Sequence, residues 1–324
     1  MIERRANSYS RFLRFSVYLL LALAIALLAA AMLGSERLPI WGLSDQQRAI
    51  LFEIRLPRIF LGACVGASLA AAGAGLQALL RNPLAEPYLL GVSNGAALGT
   101  MLAFVFFEQF VFARPLMAFA GAALATVVVF QMARSRAGMN VERLVLSGVI
   151  VTTFLSSIIV LLTSLLDAAR LRGFTFWLLG DLSQATPRGF YISLAASVAG
   201  VVLLTSQARA LNLMMIGERD ALDFGVEVGR VRLIVFGTAS ALVGTAVAAS
   251  GSVGYVGLIV PHLVRLSFGS DNRLVVPFSA IAGAIFVVLA DTLARTAIAP
   301  RELPVGAITA LIGAPMFIYL LRRN

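Results

Sequence analysis

The chain has 324 residues, 60% of them hydrophobic and only 13% charged, where a soluble domain carries about 25%. Its net charge of +10 comes from 26 basic residues, all of them arginine, against 16 acids. One cysteine excludes an internal disulfide, one histidine excludes a histidine-based metal cluster, and the lack of lysine excludes a P-loop.

The N-terminus carries Arg4, Arg5, Arg11 and Arg14 ahead of an apolar block at 15–33. That block is longer than the apolar core of a signal peptide, and we read it as a retained first helix. Further blocks of bilayer length fall at 58–80, 92–107, 115–133, 143–166, 190–206, 231–250, 254–268, 274–296 and 304–321. The pattern predicts an all-α integral membrane protein with about ten transmembrane helices. With the N-terminus inside, most arginines fall in inside loops, Arg81, Arg143, Arg209 and Arg322 among them. The arginines sit singly or in pairs, with no basic stripe and no aromatic stacking platform. Topology therefore explains the charge, and nucleic acid is not expected as a partner.

Pro57, between Arg55 and Arg58, reads as the first residue of the second helix, because its missing N–H costs nothing there. Small residues at 66, 70 and 73 share one face of that helix and invite a close neighbour. Cys64 lies in the same apolar block and reads as packing. Asn82-Pro83 and Glu86-Pro87 break the helix. Broken backbone at membrane depth belongs against protein or a water-filled path. The segment at 207–232 reads as two short helices hinged at Gly217, in the longest inside loop. His262, after Pro261, reads as a polar contact at a helix end. Asp291 and Arg295 are four residues apart on one helix face and can pair.

The chain also repeats itself. The shift that carries Gly66 onto Gly244 carries Gly73 onto Gly251, Pro83 onto Pro261 and Gly91 onto Gly269. An odd number of crossings separates the copies, which predicts two inverted five-helix repeats, at about 1–166 and 167–324, within a single transmembrane domain.

Several stretches together resemble one family. They are Arg55-Leu-Pro-Arg58, Arg81-Asn-Pro-Leu-Ala-Glu-Pro87, Leu90-Gly-Val-Ser-Asn-Gly95, Gly257-Leu-Ile-Val-Pro-His262 with Arg265, Asp291 with Arg295, Glu302-Leu-Pro-Val-Gly306 and Gly313-Ala-Pro315. Their set and order resemble the FecCD family, the permeases of type II ATP-driven (ABC) importers for ferric siderophores, haem and cobalamin. The resemblance implies a homodimeric pore in the bacterial inner membrane, among membrane lipid, with no catalysis, cofactor or metal in this chain. It implies two copies of an ABC ATPase subunit on the cytoplasmic face and a periplasmic or extracellular substrate-binding protein outside. It places the cytoplasmic gate near Asn82 and Leu84, with Asn140 and Glu142 contributing, and ATPase coupling at Leu213, Met214, Gly217 and Glu218. A secondary transporter driven by an ion gradient is the competing class. It usually needs ionisable groups inside its helices, and here only Asp291 approaches the interior.

Arg55, Arg58 and Arg295 would then sit on the outer face, against the inside rule and, for the first two, against the helix dipole. One account has them pair locally with Glu53 and Asp291 or reach lipid phosphates. The other, which the resemblance implies, makes them an exposed docking site for carboxylates of the binding protein. On that account, changing all three to glutamate leaves the permease expressed and slows capture of its partner.

Overall fold

The computed structural model describes residues 2–34, 42, 44–107, 109–110, 112–135 and 138–323; the side chains of 2–13, with Arg4, Arg5 and Arg11, lie outside the described part. Among the described residues the regular structure is helical apart from a short strand pair joining Arg134–Ser135 to Gly138–Met139. Seven helical stretches among the described residues are long and apolar enough to cross a membrane. They contain α1 (Ile2–Met32), α3 (Leu56–Leu79), α5 (Ala113–Ala133), α6 (Val141–Thr163), α8 (Pro187–Ser206), α11 (Val228–Ser250) and α13 (Asn272–Thr296). Three shorter apolar helices complete ten: α4 (Val92–Phe106), α12 (Val256–Phe268) and α14 (Val305–Arg323). Short connecting helices are α2 (Asp45–Ala49), α7 (Ala168–Leu178), α9 (Ala208–Ile216) and α10 (Glu218–Asp223). Five apolar helices precede α7 and five follow it. The ten blocks expected from hydropathy are these ten helices.

The expected start of the second helix is corrected. The helix begins at Asp45, where Ser44 Oγ accepts from the Gln47 backbone N–H at 3.3 Å and Gln47 Oε1 accepts from the Ser44 N–H at 3.1 Å. It continues through a π-helical stretch, Ile50–Arg55, into α3. Pro57 cannot donate to the carbonyl four residues back, and the wider turn just before it lets the helix run on around the ring. Arg55 and Arg58 therefore lie inside a long helix, away from its positive end.

α3 is the axis of the fold. It packs against α13, α11, α8 and α12, and nearly every residue from Pro57 to Leu79 is buried. The small-residue face works as anticipated: a Cβ placed at Gly66 would collide with the Gly283 carbonyl of α13, and one at Gly73 with the Gly257 carbonyl of α12. α4 and α5 approach in the same way through Gly95 and Gly121.

Gln77 on α3 has a specific task. Pro261 inside α12 leaves the Gly257 carbonyl without its helical N–H. Gln77 Nε2 supplies a donor, reaching the Gly257 oxygen at 3.3 Å and the Leu258 oxygen at 3.1 Å. Gln77→Leu should leave that buried carbonyl unsatisfied and cost about 1–3 kcal/mol, read as a lower melting temperature of the purified protein in detergent.

The proline register of the repeat does not survive in the structure. α3 and α11 match as helices, but Pro83 lies in a turn whereas Pro261 lies within a helix. Gly91 precedes α4 in a left-handed conformation (φ 76°), and its structural counterpart is Tyr255 (φ 67°), which precedes α12 in the same way. Gly269, the residue the shift selects, follows α12 instead.

Candidate functional site

Candidate functional features lie at the two ends of α13 and at one further junction. At the Asp291 end sits an ionic cluster, buried except for Glu302. Arg58 Nε and Nη2 donate to Asp291 Oδ1 at 3.1 and 2.9 Å, and Arg58 Nη1 donates to Glu302 Oε2 at 2.7 Å. Arg295 Nε lies 3.0 Å from Asp291 Oδ2. Two guanidinium groups and two carboxylates balance to neutrality, which suits a low-dielectric position. A cavity of about 100 Å³ opens beside the Arg58–Glu302 pair, also lined by Asp181, Ser183 and Pro304.

Arg55, Arg58 and Arg295 are 5%, 7% and 4% exposed, so the expectation of an exposed arginine trio is corrected. The physical reason lies in α1. Arg55 Nη1 donates to the Ala31 carbonyl at 3.1 Å and Arg295 Nη2 to the Ala30 carbonyl at 3.3 Å. The last turn of a helix offers unpaired carbonyls and the negative end of its dipole. These arginines satisfy α1 rather than water. A Cβ at Gly34 would lie 2.5 Å from Arg55 Nη2, so that glycine leaves room for the guanidinium. Glutamate at 58 and 295 would face Asp291 and Glu302 with like charge, and at 55 it would face the carbonyl end of α1. The expectation that such a triple variant is expressed normally is withdrawn on that ground.

At the opposite end of α13 lies the hairpin of α9 and α10, hinged at Gly217 as expected. Gly217 is extended (φ −174°), a conformation open to any residue. Of the residues singled out there, Met214 is buried in the core, Leu213 is half-buried against it, and Glu218 turns toward Arg232 and Arg81. The hairpin presents other side chains outward: Ile216, Leu222 and Phe224, at 75%, 58% and 72% exposure. Sequence reading missed them, although their apolar character in a polar loop was a usable signal.

Asn82 and Leu84 share one turn, in which Asn82 Oδ1 accepts from the Leu84 N–H at 2.9 Å. Asn140 caps α6 by accepting from the Arg143 N–H at 3.0 Å, and Glu142 lies in the first turn of that helix. All four side chains are exposed.

The third feature is the junction of α4 and α12. At about 1.5 Å per residue these helices are roughly 22 and 20 Å long, short of a hydrocarbon core of about 30 Å. Their N-terminal ends are tied together. Tyr88 Oη donates to the Val253 carbonyl at 2.9 Å and accepts from the Val253 N–H at 3.0 Å. Glu86 Oε1 accepts from the Tyr255 N–H at 3.2 Å, at the positive end of α12. Ser93 Oγ and Ser252 Oγ are hydrogen-bonded at 3.3 Å. The helix break at Glu86-Pro87 thus lies against protein, one of the two settings anticipated for it.

The comparisons with known proteins agree with this fold. A solved structure described as "an inward-facing conformation of a putative metal-chelate type ABC transporter" superposes with a TM-score of 0.88 at 31% identity, covering 96% of this chain and 99% of that one. The cobalamin import system permease protein BtuC of Halobacterium salinarum is 43% identical over 285 residues, 87% of this chain and 76% of that protein. The hemin transport system permease protein HmuU of Yersinia pestis is 37% identical over 317 residues, 95% of each. The model of the FecCD transport family matches residues 19–323, nearly the whole chain, and with ten apolar helices around a glycine-packed α3 the protein belongs to that family.

Proposed function

We propose that the chain is the pore subunit of an ATP-driven importer in the bacterial cytoplasmic membrane, working as a homodimer on a bulky metal chelate. One observation carries this reading. A hairpin between two membrane-crossing helices exposes Ile216, Leu222 and Phe224. Exposed apolar side chains on a loop outside the membrane mark a protein contact, and an ATPase subunit is the partner that fits an importer with no P-loop of its own. The hairpin face is then cytoplasmic and the Asp291 face is outer. The cargo class follows the relatives, which are named for cobalamin and hemin; a ferric siderophore belongs to the same class. Purified permease in liposomes should take up a metal chelate only with the ATPase subunit and ATP present. Uptake driven by a proton gradient alone would refute the reading.

The outer face receives the substrate-binding protein in this reading, and Arg58 is its anchor. Arg58 already holds Glu302, whose side chain is 41% exposed. A carboxylate of the binding protein docks by replacing Glu302, entering through the cavity beside it. Arg55 and Arg295 support the site by holding α1 and Asp291. Glu302→Gln should therefore speed capture of the binding protein, most clearly at low salt, where charge governs association rate. Capture kinetics on immobilised permease measure this, and an unchanged or slower association would contradict the exchange.

A further inference from the structure

Asn272 opens α13 and is fully buried. A buried amide is costly unless its donors and acceptors are met, and here distant elements meet them. Its backbone N–H and its Nδ2 both donate to Asn212 Oδ1 on α9, at 2.9 and 2.8 Å. Nδ2 also lies 3.2 Å from Met215 Sδ on α9, and Oδ1 accepts from Arg265 Nη1 on α12 at 3.2 Å. A backbone N–H can only donate, which assigns the Asn212 carbonyl oxygen to Asn272 and leaves its NH2 for the neighbouring Asp271. That NH2 donates at 2.6 Å to Asp271 Oδ1, the carboxylate oxygen that caps α13 by accepting from the Arg273 N–H. One side chain of the hairpin thus acts as a helix cap for α13 from far along the chain.

The tie continues into the bundle. Arg265 Nη2 donates to the Ala74 carbonyl of α3 at 3.2 Å. α3 meets α13 at Gly66–Gly283 and α12 at Gly73–Gly257 with no room for a side chain. From Asn272 to Asp291, α13 spans about 28 Å at about 1.5 Å per residue.

We propose that the Asn212–Asn272 tie makes the hairpin and the bar formed by α13, α3 and α12 one rigid body, so that the hairpin and the Arg58–Asp291 cluster move together across the membrane. Asn212 and Asn272 are positioning residues of coupling. This rests on the reading of the hairpin as the ATPase dock.

The test uses the complete transporter, permease with ATPase and binding protein, in lipid. Asn212→Leu and Asn272→Leu should retain the ATPase subunit and basal ATP hydrolysis. Their stimulation by the binding protein and their uptake per ATP should fall about 5-fold or more, the scale of a coupling free energy between sites. A merely structural role would lower every activity in proportion instead. Should these variants fold poorly, spin labels at Arg209 on α9 and Arg273 on α13, both exposed, interrogate the otherwise unmodified chain. The distance between them should be the same with and without ATP. A change on ATP binding, or folded variants that keep uptake per ATP, would overturn the proposal. Ile216→Asp separates the two readings. It should release the ATPase subunit, and if the subunit stays bound the docking reading fails, while the label pair still judges the tie.

Discussion

Asp291→Asn is expected to lower the folded yield and melting temperature sharply. The carboxylate serves two buried arginines at once, Arg58 at 2.9 Å and Arg295 at 3.0 Å. Asparagine keeps the shape and one acceptor but removes the charge, leaving Glu302 alone to neutralise both. Removing one partner of a buried ion pair costs about 3–5 kcal/mol, because the remaining charge is left uncompensated. Arg295→Gln in the same chain restores the balance and should recover part of the loss, so the two changes should combine to less than their sum. Thermal unfolding followed by size-exclusion chromatography in detergent gives all three values. A melting temperature unmoved by Asp291→Asn would mean that water reaches the cluster and screens it.

Gly66→Val should also disrupt the protein. The obstacle to any side chain there is the Gly283 carbonyl, a backbone group that cannot rotate away. Overpacking a tight contact costs about 1–3 kcal/mol or more, and here relief requires α3 and α13 to separate along their length. Gly237 on α11 is the control, since a Cβ placed there meets nothing within 4 Å. Gly237→Ala removes a helix-weakening glycine and should be neutral or stabilising by up to about 1 kcal/mol. Equal damage from both substitutions would mean that the loss comes from helix propensity or insertion rather than from this contact.

The helices were legible because each is encoded locally, by hydropathy over a bilayer's length. The small face of α3 was legible for the same reason: Gly66, Ala70 and Gly73 lie within two turns. Features set by residues far apart were not. Nothing near Pro57 says that a π-helical stretch precedes it and lets the helix begin at Asp45. The pairing of Asp291 with Arg295 could be read from their spacing, but the pairing of Arg58 with Asp291 and Glu302 could not. The anomaly of arginines on the unfavoured face was visible, and its resolution needed the carbonyls at the end of α1. At the hairpin, the hinge was readable from Gly217, but a single apolar stripe does not say which side packs inward. Met214, expected at the docking face, therefore packs inward, and Ile216, given no role by sequence reading, is exposed.

The ionic cluster also has a position in time. Arg58 precedes Asp291 by 233 residues, and the Ala30 carbonyl precedes its Arg295 donor by 265. At a synthesis rate of about 5–20 residues per second, roughly 13–53 seconds separate the emergence of Ala30 from that of Arg295. For about 12–47 seconds of that interval α3 carries an arginine whose Asp291 partner has not been made, and until Arg295 emerges the end of α1 lacks one of its two caps. Arg58 must spend the interval near water or lipid headgroups, so the final seating of α3 waits for α13. A nascent chain cut short before Asp291 would hold its first helices in the membrane with a charge still seeking its partner.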